Sequence, residues 1–305
     1  MRLMGIFAIW VGLAAQTSAS ELRVAVDIAP VHSIVAQVMG GMGTLDLIVP
    51  VGASPHDHAM RPSEAYNLSK ADIIIWVGGG LTPWLHDPIT ALAPNARQVE
   101  LLELEQTKVL PFREGQGFGV HSHVDEGHEE DHSGHEAGDP HVWLDPLNAI
   151  AWAFHIADIL GQEDAANGQL YKDNAKIFAA RIAAVSIEIK QQVEPVRGMP
   201  FIVFHDAFHG FENRFDIEAK GAISDSDANA PSPKRVAQVR DLVRTENVKC
   251  VLAEPLFNIG LVQAVSGSAR VGVVDAMGVG LALGPDLYEN LLLSISQALV
   301  DCLGE

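Results

Sequence analysis

Cysteine is almost missing from this 305-residue chain, which holds only Cys250 and Cys302. In an oxidising compartment such a pair favours a disulfide over a metal clip, the alternative being two free buried thiols. Cations are scarce as well: 20 Lys and Arg stand against 39 Asp and Glu, a formal charge of −19. That charge repels phosphate, so it argues against nucleic acid and anionic membrane as partners and suits a cation. Beyond the first residues no apolar run approaches the ~20 residues that a bilayer span needs. The nucleophile elbow G-x-S-x-G is absent, "VSGSAR" failing to supply it. There is no internal repeat at solenoid periods.

The opening residues carry one early cation, Arg2, an apolar run through Ala15, and small residues Ser18 and Ser20 spaced as at a secretory cleavage site. Residues 1–20 therefore read as a signal peptide, and no cysteine near the cleavage point could accept a lipid. The expectation is a soluble periplasmic protein that starts near Glu21.

The chain beyond residue 20 is long enough for two lobes of ordinary size. Apolar, β-branched runs recur at 22–27, 44–50, 72–78 and 97–102, and again at 200–206, 249–255 and 269–275. Near-continuous hydrophobic strands separated by helical stretches imply α/β folding with parallel sheets covered on both faces. Between the two groups, Glu163 to Val193 carries apolar residues at helical spacing, namely Leu170, Ile177, Ala180, Ile182, Val185 and Ile189. This predicts one helix of about eight turns, near 45 Å long. The expected architecture is an N-terminal lobe over 21–160, a linking helix over 161–195 and a C-terminal lobe over 196–305. The alternative is a long helix inside one larger domain.

Residues 113–140 differ in kind. They lack a strand or helix pattern, and no Lys or Arg occurs between Arg113 and Lys172. His121, His123, His128, His132 and His135 crowd among acids in this low-complexity loop.

Other histidines stand at the ends of predicted elements. His56 follows "LDLIVPVGASP", His141 precedes "VWLDP", His205 ends "FIVF", and Asp275 ends "VGVV". In open α/β sheets the loops beyond the strands' carboxyl ends form the binding crevice. Three neutral imidazoles and one oxygen ligand drawn from both lobes suit tetrahedral Zn²⁺. Taken alone, Asp275 reads equally as a turn residue, since "DAMG" is a strand-to-loop turn.

The ordered series "VGASPHDH", "HVWLDP", "FIVFHDAF", "AEPLF" and "VVDAMG" resembles the metal-binding receptors of ABC importers, most closely the ZnuA-type periplasmic zinc-binding receptors. The resemblance covers essentially the whole chain after residue 20. It implies two α/β lobes, each with a mostly parallel sheet flanked by helices, joined by one long helix, with the metal site in the inter-lobe cleft. It implies Zn²⁺ as the cargo, a membrane permease of an ABC importer as the partner, and a monomer. Carried over by position, it implies metal ligands at His56, His141 and His205, with Asp275 or water as the fourth, and a disulfide between Cys250 and Cys302. His58 is implied as an outer or alternative ligand. Pro55 departs from the pattern, because some zinc receptors carry a Glu there. The His- and acid-rich insertion, in this resemblance, is a low-affinity collector, whereas the bland reading is a solvated acidic loop.

Three other readings compete. Manganese and iron receptors of the same fold tend to place a carboxylate where His205 stands, so His205 favours zinc. An exported zinc hydrolase is suggested by "HDH", but Met60 and Arg61 follow where the metallo-β-lactamase pattern needs Asp and His. An adhesin would fit the wider group, and the missing anchor cysteine counts against it. Of the scattered tryptophans, Trp143 is placed to pack against the site.

Overall fold

The computed structural model describes residues 21–115, 117–118, 138–224, 230–255 and 257–304. The first half folds as β1 (Arg23–Val26), α1 (Ala29–Met39), β2 (Thr44–Leu47), α2 (Pro62–Leu68), β3 (Ile73–Trp76), α3 (His86–Leu92) and β4 (Arg97–Glu100). Its four strands are all parallel, in the order β2-β1-β3-β4. Next come α4 (Pro146–Glu163) and α5 (Gly168–Val193). The second half contains β5 (Phe201–Ile202), α6 (His209–Phe215), α7 (Pro233–Thr245), β6 (Cys250–Ala253), α8 (Ile259–Ser266), β7 (Arg270–Val273) and α9 (Leu287–Leu303), with a parallel sheet ordered β5-β6-β7.

Local chemistry explains the boundaries. Gly40 ends α1 in the left-handed conformation, at φ 59°, a conformation that costs glycine nothing. Asp145 caps α4 by accepting the Leu147 N–H, and Pro146 opens the first turn. The long helix starts at Gly168, not at Glu163. Asp164 ends α4, and its Oδ2 accepts from Asn167 Nδ2 (2.6 Å) and the Tyr171 hydroxyl (2.7 Å), which builds a tight corner. Gly161 and Gly168 let the two helices meet, since a Cβ on Gly161 would stand 3.2 Å from the Gly168 Cα.

The buried face of α5 is Tyr171, Ala175, Phe178, Ile182, Val185, Ile189 and Val193. Ile182, Val185 and Ile189 match the expectation, whereas Leu170 and Ile177 point outward, 39% and 55% exposed, and Ala180 is exposed as well. The regular four-and-three spacing of the true stripe begins at Tyr171, one residue off the predicted start. This stripe belongs to one continuous buried cluster that runs from Val24 and Val26 through α5 to Leu252, Tyr288 and Ile295. Smaller clusters cover the outer faces, around Ile74 and Trp76 in one lobe and Ile202, Val239 and Val251 in the other. Edge strand β7 departs from two-sided coverage: Val271 and Val273 are exposed. Cys250 and Cys302 are bonded, tying β6 to α9.

Candidate metal centre between the lobes

His56 lies in the loop after β2, His205 just beyond β5, Glu254 just beyond β6 and Asp275 beyond β7, so the carboxyl ends of both sheets face one another. His141 enters from the chain that returns to α4, at the head of a single 3-10 turn, Val142–Leu144. These side chains line one cavity of ≈ 30 Å³, together with Pro55, Trp143, Phe257, Met277 and Val279. A space of that size holds about two water-sized species.

The spacing of the imidazoles is informative. The His56 and His141 ring centroids are 5.6 Å apart, and those of His141 and His205 5.2 Å. Two imidazoles on one tetrahedral zinc, at Zn–N of about 2.0–2.1 Å, place their centroids about 5 Å apart. Among the described residues no group of three or more His, Cys, Asp or Glu side chains is arranged to hold a metal ion as it stands; His141 is at ligand spacing from both His56 and His205.

Two carboxylates stand behind these rings. His141 Nδ1 is 2.7 Å from Asp139 Oδ1, and His205 Nδ1 is 2.6 Å from Glu254 Oε1. With each Nδ1 donating to its carboxyl oxygen, each Nε2 carries the lone pair. Burial pushes the Asp139 carboxyl up to about 7 and the Asp206 charge adds to the push, while the His141 backbone N–H and the charges of His209 and Arg113 pull it down. Both rings are nearly covered, at 8% and 6% exposure. Neither carboxylate was singled out from sequence. Asp139 sits two residues before His141, and "AEPLF" places Glu254 at a strand end, so the signal was present in both cases.

Asp275 lines the cavity and also makes its turn. Its Oδ1 accepts from the Met277 and Gly278 N–H groups (2.8 and 2.9 Å), and its Oδ2 from Gly280 at 3.4 Å. His58 turns away from the cavity: its Nε2 is 2.8 Å from Glu64 Oε2 and its ring abuts Trp84. The Trp84 indole donates to the Pro55 carbonyl (2.7 Å), which steadies the loop bearing His56. Trp143 does pack against His141, at 5.4 Å between ring centroids. Its indole N–H donates to the Ala276 carbonyl (2.9 Å) and its own carbonyl accepts the Tyr288 hydroxyl (2.6 Å), so it also pins the His141 segment to the opposite lobe.

Residues 1–20 and His121, His123, His128, His132 and His135 lie outside the described residues. The string "HEEDH" at 128–132 spells the zinc-protease pattern H-E-x-x-H. It too lies outside them, in a stretch without the apolar periodicity of the helix that pattern requires.

Residues 24–302 match the family described as "ZnuA: Zinc-uptake complex component A periplasmic". The chain belongs to the ZnuA family. It is 36% identical over 306 residues to the high-affinity zinc uptake system protein ZnuA of Brucella suis biovar 1, covering 92% of each chain. It is 36% identical over 317 residues to the ZnuA of Paracoccus denitrificans, covering 98% and 97%. A crystal structure of ZnuA superposes with a TM-score of 0.77 over 93% of this chain and all of that one, at 21% identity, which speaks to the fold alone. The ZnuA-family fold thus accounts for both parallel sheets and the long helix. No helix of the described residues is long and apolar enough to cross a membrane.

Proposed function

We propose that this protein is a periplasmic zinc receptor that binds Zn²⁺ between its lobes and delivers it to the membrane permease of an ABC importer. The observation that carries the reading is that His56, His141 and His205 line one cavity with His141 at zinc-ligand spacing from each of the other two, and that His141 and His205 each have a carboxylate on Nδ1. His141 and His205 offer Nε2 to the ion, His56 supplies a third imidazole nitrogen, and Asp275 completes the tetrahedron through Oδ2, the oxygen with the single long hydrogen bond. A set of three nitrogens and one oxygen favours zinc over manganese or iron, which prefer more oxygen. Trp143, Phe257, Met277 and Val279 exclude water and strengthen the ion's attraction to its ligands. The protein acts as a monomeric receptor rather than an enzyme, and its negative charge leaves nucleic acid out. Because α5 packs on α1, α4 and α9 within one continuous core, capture and release proceed by small lobe adjustments, not by a wide hinge.

The test is competitive titration with zinc and manganese. His56→Ala, His141→Ala and His205→Ala should each weaken the tight zinc phase by about 10-fold or more, while His155→Ala, in the middle of α4, leaves it unchanged. Equal losses from all four, or tighter binding of manganese, would overturn the reading.

A further inference from the structure

Arg113 comes from the connection that leaves the N-terminal lobe after β4, and its guanidinium meets two acids of the other lobe. Its Nε donates to Asp206 Oδ2 (3.0 Å) and its Nη2 also reaches Asp206. Its Nη1 and Nη2 donate to Glu212 Oε2 and Oε1 (2.6 and 3.2 Å). The Phe118 ring lies over the guanidinium, 4.0 Å from centroid to Cζ, and the Arg113 side chain is only 12% exposed.

The chain around it is docked with equal care. Ala222 N and Arg235 Nη2 both donate to the Gly117 carbonyl, at 2.9 and 2.6 Å, so this segment lies along residues 220–222, themselves paired with β5. A Cβ on Gly117 would collide with the Lys220 carbonyl, and one on Gly221 with Gly117 itself, so the approach requires glycine on both sides.

Asp206 is the neighbour of His205, and Arg113 also attracts Asp139, the carboxylate behind His141. One cation thus stands among the acids that flank two of the proposed ligands. Arg214 of α6 makes a parallel link, donating to both oxygens of Asp145, the cap of α4 (2.8 and 2.7 Å).

Resting on the receptor reading above, we propose that Arg113 is a positioning residue for metal retention: by bridging Asp206 and Glu212 across the lobes it holds the His205 loop against the His141 segment and sets how slowly a bound divalent cation leaves. Without it, Asp206 and Glu212 face each other as like charges, and Glu212, 3% exposed, loses the partner that compensates its burial. The His205 loop is then free to drift by the fraction of an ångström that matters to a metal bond.

Protein loaded with one equivalent of zinc is mixed with excess chelator, and release is followed by stopped flow. Arg113→Met should release zinc about 10-fold faster or more, with Arg113→Lys in between. Asp206→Asn keeps the Arg113–Glu212 pair and with it the fold, and should also speed release. Melting of the zinc-free protein separates a merely structural role, which lowers the melting temperature and leaves release alone. A folded Arg113→Met protein with wild-type release overturns the proposal, as does wild-type release from Asp206→Asn should Arg113→Met not fold. His205→Ala should abolish the slow phase. If it keeps that phase, the site reading itself falls, and this inference with it.

Discussion

Glu254 Oε1 accepts from His205 Nδ1 at 2.6 Å and also from the His205 backbone N–H at 3.3 Å, so one carboxylate, 49 residues away in sequence, fixes both the tautomer and the direction of that ring. Asp139 does the same for His141, through Nδ1 at 2.7 Å and the backbone N–H at 3.0 Å. Glu254→Gln and Asp139→Asn should each lower zinc affinity by about 10- to 100-fold, the usual effect of removing a ligand's orienting partner. Calorimetric titration against a competing chelator measures it. Wild-type affinity in both variants would show that the rings hold their direction without the carboxylates.

Deleting residues 119–137 removes five histidines and spares His141, Asp139 and the Pro111–Gly138 bridge beneath them. One tight zinc per molecule should survive, because the proposed ligands His56, His141, His205 and Asp275 all lie outside the deleted stretch. Weaker zinc equivalents should vanish with the five histidines that would supply them. Loss of the tight phase in a titration of the deleted protein would make the loop part of the primary centre.

Zinc binding itself should weaken as pH falls through the ordinary imidazole range near 6.5, because each imidazole ligand must be neutral to coordinate. Affinity measured at pH 7.5 and 5.5 should differ by well over 10-fold with three histidines titrating together. A flat profile would exclude a histidine-built site.

Asp27 gives a pH dependence of a different kind. It is fully buried, with Ile28 and Val77 N–H groups on its two oxygens at 2.8 and 2.7 Å, and burial pushes its carboxyl up to about 7. The folded state holds this proton more tightly than the unfolded chain does. The group's contribution to stability is therefore complete below about pH 4 and lost as pH rises to about 7. Urea titrations of the zinc-free protein at pH 5 and 7.5 should show Asp27→Asn with the shallower decline. Identical slopes in variant and wild type would remove Asp27 as the cause.

The Cys250–Cys302 bond closes a loop with a sequence separation of 52. On the chain-entropy model that is worth about 4 kcal/mol. Replacing both cysteines by alanine should lower unfolding free energy by roughly 2–5 kcal/mol, read from denaturant midpoints. A loss under about 1 kcal/mol would mean that packing of α9 on β6 already supplies the restraint.

Much of the architecture was legible because it is written locally. Covered parallel strands read as near-continuous apolar runs, so the seven strands were legible even though β7 is exposed on one face, and His56, His205 and Asp275 do lie beyond strand ends. The face of α5 was less legible. Leu170 and Ile177 are apolar and helically spaced, and only the helices packed beside α5 decide that Tyr171, Ala175 and Phe178 turn inward instead. The corner at Asp164 was missed for a related reason, since its effect depends on the Tyr171 hydroxyl coming back to meet it.

By itself the sequence determined what the chain has to offer: histidines at element ends, an acid-rich composition, and a lone cysteine pair. What only the tertiary structure decided is how those residues are held. Glu254 reaches His205 across 49 residues, Arg113 reaches Asp206 across 93, and Trp143 reaches Ala276 across 133. No periodicity encodes such pairs, because the first exists only once β5 and β6 lie side by side in one sheet, and the other two only once the lobes have docked on a common core.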